Sequence, residues 1–226
     1  VKDVGGATGR CLCAERRWIV YARSTTLQAQ LSALESGIAH VRDEVMPELE
    51  GIPGCIGLSL LVDRKTGRCI VTTAWDSEDA LRASAAQVMP IRNRAAEKFG
   101  GSPMVEEWEI AAMHRAHPAP QGACARVTWV KTDPSRLGSA IEVYRDHTLP
   151  GMEQQLDGFC SASLMVNRSS GRAVSCSVYD DAEAMESNRI ASAALRVDAA
   201  RQARVEAVDV REFELVLAHL RVPELV

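Results

Sequence analysis

The stretch YRDHTLP carries Tyr144, Arg145, Asp146 and His147 in succession: a phenol, a guanidinium, a carboxylate and an imidazole within one or two helical turns. Such a set can move a proton, because an imidazole titrates near neutral pH and its neighbours bias its charge. His147 is therefore the acid–base candidate, with Tyr144 and Arg145 beside it. The same spacing also fits a plainer account, in which Tyr144 and His147, three residues apart, flank the buried face of a helix. Of the other histidines, His117 falls in a proline-rich stretch and His40 on a helix, and both are expected at solvent. His114 and His219 occupy matching strand ends and read as rim positions.

Glu107 and Glu109 alternate with Trp108, as Glu212 and Glu214 do with Phe213, so each acidic pair points to one face of a strand. On an interior face their charges would need Arg64, Arg68, Arg168 or Arg172, whereas a solvated strand end would need no partner. The seven cysteines, Cys11, Cys13, Cys55, Cys69, Cys124, Cys160 and Cys176, include no C-x-x-C knuckle, so no metal site is expected. No glycine-rich phosphate loop, nucleophile elbow or H-E-x-x-H occurs. The net charge of -4 is spread along the chain without a basic block, which argues against nucleic acid as a partner. No segment has the length and apolarity of a membrane span, and the start lacks the apolar core of a signal peptide. A cytoplasmic protein is the expectation, with all cysteines reduced.

The elements that must position these residues occur twice. PGCIGLSLLVDRKTGRCIVTTAW (53–75) returns as DGFCSASLMVNRSSGRAVSCSVY (157–179), with Ser59, Leu60, Val62, Arg64, Gly67, Arg68, Asp76 and Ala80 matched by Ser163, Leu164, Val166, Arg168, Gly171, Arg172, Asp180 and Ala184. Trp75 falls on Tyr179, and VEEWEI (105–110) matches VREFEL (210–215). A repeat of this length is a structural unit.

Each copy opens with a strand rich in β-branched and aromatic residues, RWIVYAR (17–23) or ARVTWVK (125–131). An amphipathic helix follows, with Leu34, Ile38, Val41, Val45 and Leu49, or Leu137, Ile141, Tyr144 and Met152, along one face. Two strands come next, joined by DRKTGR or NRSSGR, whose glycines suit a hairpin. Asp76-Ser77 and Asp180-Asp181 then offer N-caps for a second helix, and a last strand spans 103–114 or 207–219. The order β-α-β-β-α-β predicts two tandem ferredoxin-like units of the α+β class. The expected boundaries are an N-terminal extension (1–16), a first repeat (17–115), a linker (116–124) and a second repeat (125–226). A four-stranded sheet covered by helices on one face leaves its other face to be buried. Two copies in one chain would supply that burial by packing their sheets into an intramolecular α/β barrel, a pseudo-dimer.

Pro53-Gly54-Cys55, Trp75, Asp76-Ser77 and Asp79-Ala80-Leu81 together resemble the central segment of the antibiotic biosynthesis monooxygenase-like family, of the dimeric α/β-barrel superfamily. The second copy keeps Gly158, Tyr179, Asp180 and Glu183-Ala184-Met185. The resemblance implies a cleft between sheet and helices in which Trp75 and Tyr179 contact a small apolar or aromatic ligand, although closing the core of each half is the plainer account of both. It also implies a cofactor-independent oxygenase, oxidising an electron-rich aromatic substrate with dioxygen through a substrate carbanion. Family members commonly carry a histidine in the second helix, which serves as iron ligand in haem-degrading relatives. Ser84 and Asn188 stand there in this chain, so neither haem nor another cofactor is expected. The alternative is a barrel that binds or senses a small molecule without a reaction, a reading that the divergence of polar residues between the copies supports.

Overall fold

A computed structural model describes residues 19–226. The expected extension, Trp18 and the Cys11 and Cys13 pair lie outside the described residues. The first half runs β1 (Val20–Gln28), α1 (Leu34–His40), α2 (Met46–Glu50), β2 (Cys55–Val62), β3 (Arg68–Trp75), α3 (Glu78–Ala83), α4 (Ala85–Phe99) and β4 (Met104–Arg115). The second half repeats it as β5 (Cys124–Lys131), α5 (Leu137–Val143), α6 (Leu149–Gln155), β6 (Phe159–Asn167), β7 (Arg172–Tyr179), α7 (Ala182–Ser187), α8 (Arg189–Ala203) and β8 (Glu206–Leu220).

Local chemistry accounts for most boundaries. The hairpins turn at Gly67 and Gly171, with φ of 79° and 68°. A Cβ there would meet the Ala29 or Thr132 carbonyl oxygen at 2.5 or 2.0 Å, so only glycine fits. Ser77 and Asp181 accept from the backbone N–H of Ala80 and Ala184 as N-caps. Two details differ from expectation. The first helix of each half passes through a π-helical turn, Val41–Val45 or Tyr144–Thr148, just before Pro47 or Pro150. Proline lacks the N–H and crowds the carbonyl four residues back, and the wider turn relieves that conflict without ending the helix. The second helix is broken at Ser84 and Asn188 into a short and a long piece.

All eight strands form one closed antiparallel barrel in the order β1-β3-β2-β8-β5-β7-β6-β4. Closure is the work of the two last strands. Residues 104–110 of β4 pair with β1 of their own half, and residues 109–115 pair with β6 of the other. The β8 strand divides itself likewise between β5 and β2. Register shifts between Ile110 and Ala112, and opposite Leu60 and Leu61, mark where each strand bends from one sheet to the other. The pseudo-dimer expected from the repeat is thus a continuous barrel with no free sheet edge.

Three cores result. One lines the barrel interior and includes Val20, Ala22, Trp108, Val127, Met165 and Phe213. The other two lie between the outer sheet face and the helices of each half, around Phe99 and Trp75 in the first and around Tyr144 and Tyr179 in the second. Trp108 points inward, so Glu107 and Glu109 point outward. Glu107 meets Arg23, and Glu109 meets Arg168.

Candidate functional site

The two outer cores descend from one pattern but are filled differently. Behind the first-half helices Val41, Val45, Val71 and Val88, in a core that also holds Phe99 and Trp75, line a void of only about 30 Å³. At the equivalent positions the second half has Tyr144, Thr148, Ser175, Ser192, Ala203 and Tyr179. Although Tyr144 is larger than Val41, the smaller or more polar Thr148, Ser175, Ser192 and Ala203 accompany a cavity of about 90 Å³ between β5, β6 and β7 and helices α5, α6 and α8. The first half is a solid core, and the second is a pocket.

Its walls are apolar: Val130, Leu137, Ile141, Met152, Leu164 and Leu195. Set among them are a few polar groups. The Tyr144 hydroxyl sits 3.1 Å from Ser175 Oγ and donates to the Ser163 carbonyl at 3.2 Å. Burial holds its phenol well above the ordinary tyrosine range, so it is a neutral hydrogen-bond donor. Arg126, on β5, crosses beneath Tyr179 with its guanidinium 5.5 Å from the ring centre. It is fully engaged by Glu212 Oε1 at 2.9 Å, Ser192 Oγ at 2.5 Å and the Met185 carbonyl at 3.0 Å. Arg23 makes the corresponding set in the first half with Glu107, Ser84 and the Leu81 carbonyl. The buried arginine is therefore a structural strut shared by both halves.

Arg196, on α8, differs from both struts. It lines the cavity half-buried, donates to Ser192 Oγ at 3.2 Å, and has no carboxylate within ion-pair distance among the described residues. Burial first, and then the charge of Arg126, lower its pKa, so its positive charge is under-compensated. On the helix carrying it Ser192 is the fully buried residue and most of its neighbours are half-buried, whereas α4 buries Val88, Ile91, Ala95, Ala96 and Phe99.

Tyr144 and Tyr179 line this cavity, as does neither of the other acid–base candidates. Arg145 donates to the Ala111 carbonyl, and His147 lies exposed on the outer side of the π-helical turn. Tyr144, Arg145 and His147 thus share a turn without converging on one site, because each step along a helix turns the side chain by roughly 100° about its axis. Trp75 is wholly enclosed in the first core, its Nε1–H donating to Thr73 Oγ1 at 3.1 Å. His40, expected at solvent, is buried 3.0 Å from a Glu44 carboxylate oxygen. His114 and His219 do sit at the rim, facing Glu153 at 3.4 Å and Glu50 at 3.1 Å, two acids that are themselves repeat equivalents. Arg196 escaped sequence reading, although its equivalence to Arg92 was visible.

An eight-stranded antiparallel barrel with paired helices outside, and a pocket between sheet and helices, defines the dimeric α/β-barrel class built here from one chain. The antibiotic biosynthesis monooxygenase family model matches residues 20–87. Solved structures agree on the fold. A Lactobacillus acidophilus NCFM protein superposes with a TM-score of 0.62 at 11% identity, over 87% of this chain and 93% of its own. An anthrone oxidase-like protein gives 0.60 at 15% identity, covering 89% and 91%. Two Mycobacterium tuberculosis H37Rv proteins are far nearer in sequence: uncharacterised protein Rv2557 at 59% identity, over 98% of this chain and 99% of its own, and Rv2558 at 56%, over 98% and 94%. Residues 20–87 thus carry an antibiotic biosynthesis monooxygenase domain, and the chain as a whole belongs to one family with these mycobacterial proteins. Among the described residues no helix is long and apolar enough to cross a membrane.

Proposed function

We propose that the second-half cavity binds a small, flat, largely apolar molecule bearing one acidic oxygen, and that the protein oxidises this molecule with dioxygen without a metal. The observation that carries the reading is Arg196, a guanidinium beside an apolar cavity with no carboxylate to neutralise it. An anionic oxygen supplies the missing charge, and low-dielectric walls strengthen the pairing. Tyr144 orients the ligand by hydrogen bonding, and Tyr179 offers its ring.

The lining contains no carboxylate and no imidazole. The substrate must therefore be one that ionises as its oxygen meets Arg196, such as a phenol or an enol. Its electron-rich carbon is then the electron source. A reacting methylene would lose two hydrogens and gain one oxygen atom as a carbonyl, while the second oxygen atom leaves as water. The same lack of a base favours a second reading, in which the anion is held and no reaction follows.

Calorimetric titration with acidic phenols and their methyl ethers tests the binding. Phenols should bind at least ten-fold more tightly than the ethers, and Arg196→Met should abolish the difference. Equal binding of the two series would sink the proposal. An oxygen electrode in chelator-treated buffer separates the two readings: uptake of one O₂ per substrate supports oxidation, and binding without uptake supports the holding role.

A further inference from the structure

The segment between β4 and β5 brings together three residues that the cavity does not use. His117 precedes Pro118 in this segment, Cys160 lies at the start of β6, and Asp180 follows β7. Their Nε2, Sγ and carboxylate oxygen all lie within 4.8 Å of one another. Asp180 Oδ1 is 3.7 Å from His117 Nε2 and 3.4 Å from Cys160 Sγ. Ligand atoms around a tetrahedral zinc, at bonds of about 2.0–2.3 Å, stand about 3.3–3.7 Å apart. Two of the three separations already have that value.

Two further observations show that the cluster is built. The backbone N–H groups of Ala116 and His117 both donate to the Cys160 carbonyl, at 2.9 and 3.2 Å, which locks the segment onto β6. His117 Nδ1 lies 3.1 Å from the Pro118 carbonyl, which can only accept, so Nδ1 carries the hydrogen and Nε2 keeps its lone pair for a ligand. Second-shell contacts of this kind orient metal-binding histidines.

The duplication supplies an internal control. At the equivalent place on the barrel Arg221 N, just after β8, donates to the Ile56 carbonyl of β2 at 2.8 Å, the counterpart of the bond from Ala116 to Cys160. There the positions of His117 and Cys160 are held by Val222 and Ile56, which pack among the apolar residues of the barrel core. Asp76 alone matches its counterpart, Asp180. The backbone frame is therefore satisfied by apolar side chains, and the fold itself does not call for ligating groups.

We propose that His117, Cys160 and Asp180 form a binding site for one zinc-class divalent ion per chain. Thiolate and imidazole select a borderline-soft ion over calcium or magnesium, which prefer all-oxygen shells. Three protein ligands leave a fourth position for water or for a molecule entering the barrel, whose interior cavity of about 310 Å³ His117 also lines. Against the expectation from cysteine spacing, the site is assembled from three separate segments.

The test uses the full chain, stripped with a chelator and titrated with Co²⁺, then with Zn²⁺ in competition. One Co²⁺ per chain should bind with the visible bands of a tetrahedral ion and a thiolate-to-cobalt charge-transfer band, and Zn²⁺ should displace it. Cys160→Ser should lose the charge-transfer band. His117→Ala and Asp180→Asn, at half-exposed positions that tolerate change, should keep the native circular dichroism and weaken Co²⁺ binding by at least ten-fold. The proposal is overturned if the charge-transfer band survives in Cys160→Ser, if the two exposed variants bind as wild type does, or if the folded wild-type chain binds no Co²⁺ at 100 μM.

Discussion

Exchanging the filling of the two outer cores should turn the pocket into a solid core. In the first half Phe99 is fully buried, and its ring occupies the space in front of Gly37, where a Cβ would come within 2.3 Å of a ring carbon. The equivalent positions in the second half are Ala140 and Ala203, both lining the cavity. The double variant Ala140→Gly with Ala203→Phe transplants the first-half solution. Cavity volume costs about 24 cal/mol per Å³, so filling the 90 Å³ void is worth about 2 kcal/mol. Glycine inside α5 returns about 1 kcal/mol of that gain. Urea denaturation should therefore place the double variant about 2 kcal/mol above Ala140→Gly alone and about 1 kcal/mol above the parent, with phenol binding lost. Ala203→Phe alone keeps the Ala140 methyl in the ring's path and should destabilise by about 1–3 kcal/mol. A double variant no more stable than Ala140→Gly, or one that still binds phenols, would refute the reasoning.

Three further outcomes follow from the geometry. Removing the N-cap oxygen in Ser77→Ala or Asp181→Ala should each cost about 1 kcal/mol in thermal or chemical unfolding, and no loss in either would contradict the capping seen here. Burial pushes the Cys69 and Cys176 thiols up to about 12; between an unfolded thiol near pH 9 and that value the native state holds more protons, so stability should fall as pH rises above about 9. Denaturant midpoints that stay level from pH 8 to 11 would argue against that burial. Cleavage of the chain between Pro120 and Gly122 should leave the halves associated in gel filtration, since the β2–β8 and β4–β6 ladders join them. Two separately folded monomers would contradict the barrel.

Much of the architecture was legible in the chain because it depends on local and repeated signals. The strand and helix order, the hairpin glycines and the caps at Ser77 and Asp181 follow from backbone sterics and short-range hydrogen bonds, which act within a few residues. The duplicated β-α-β-β-α-β pattern also implied barrel closure, since a sheet bare on one face must be covered. Tertiary structure alone decided where the side chains meet. Spacing already put Tyr144 on the apolar face of its helix, but that this face borders a cavity depends on the side chains that β5, β7 and α8 bring opposite it. That Arg196 lacks a carboxylate depends on Glu212 being taken by Arg126, seventy residues away on β5. The juxtaposition of His117, Cys160 and Asp180 required a connecting segment, a strand start and a strand end to converge at the barrel rim. Contacts between residues far apart in the chain carry no fixed spacing, so the sites could be read only after the barrel had closed.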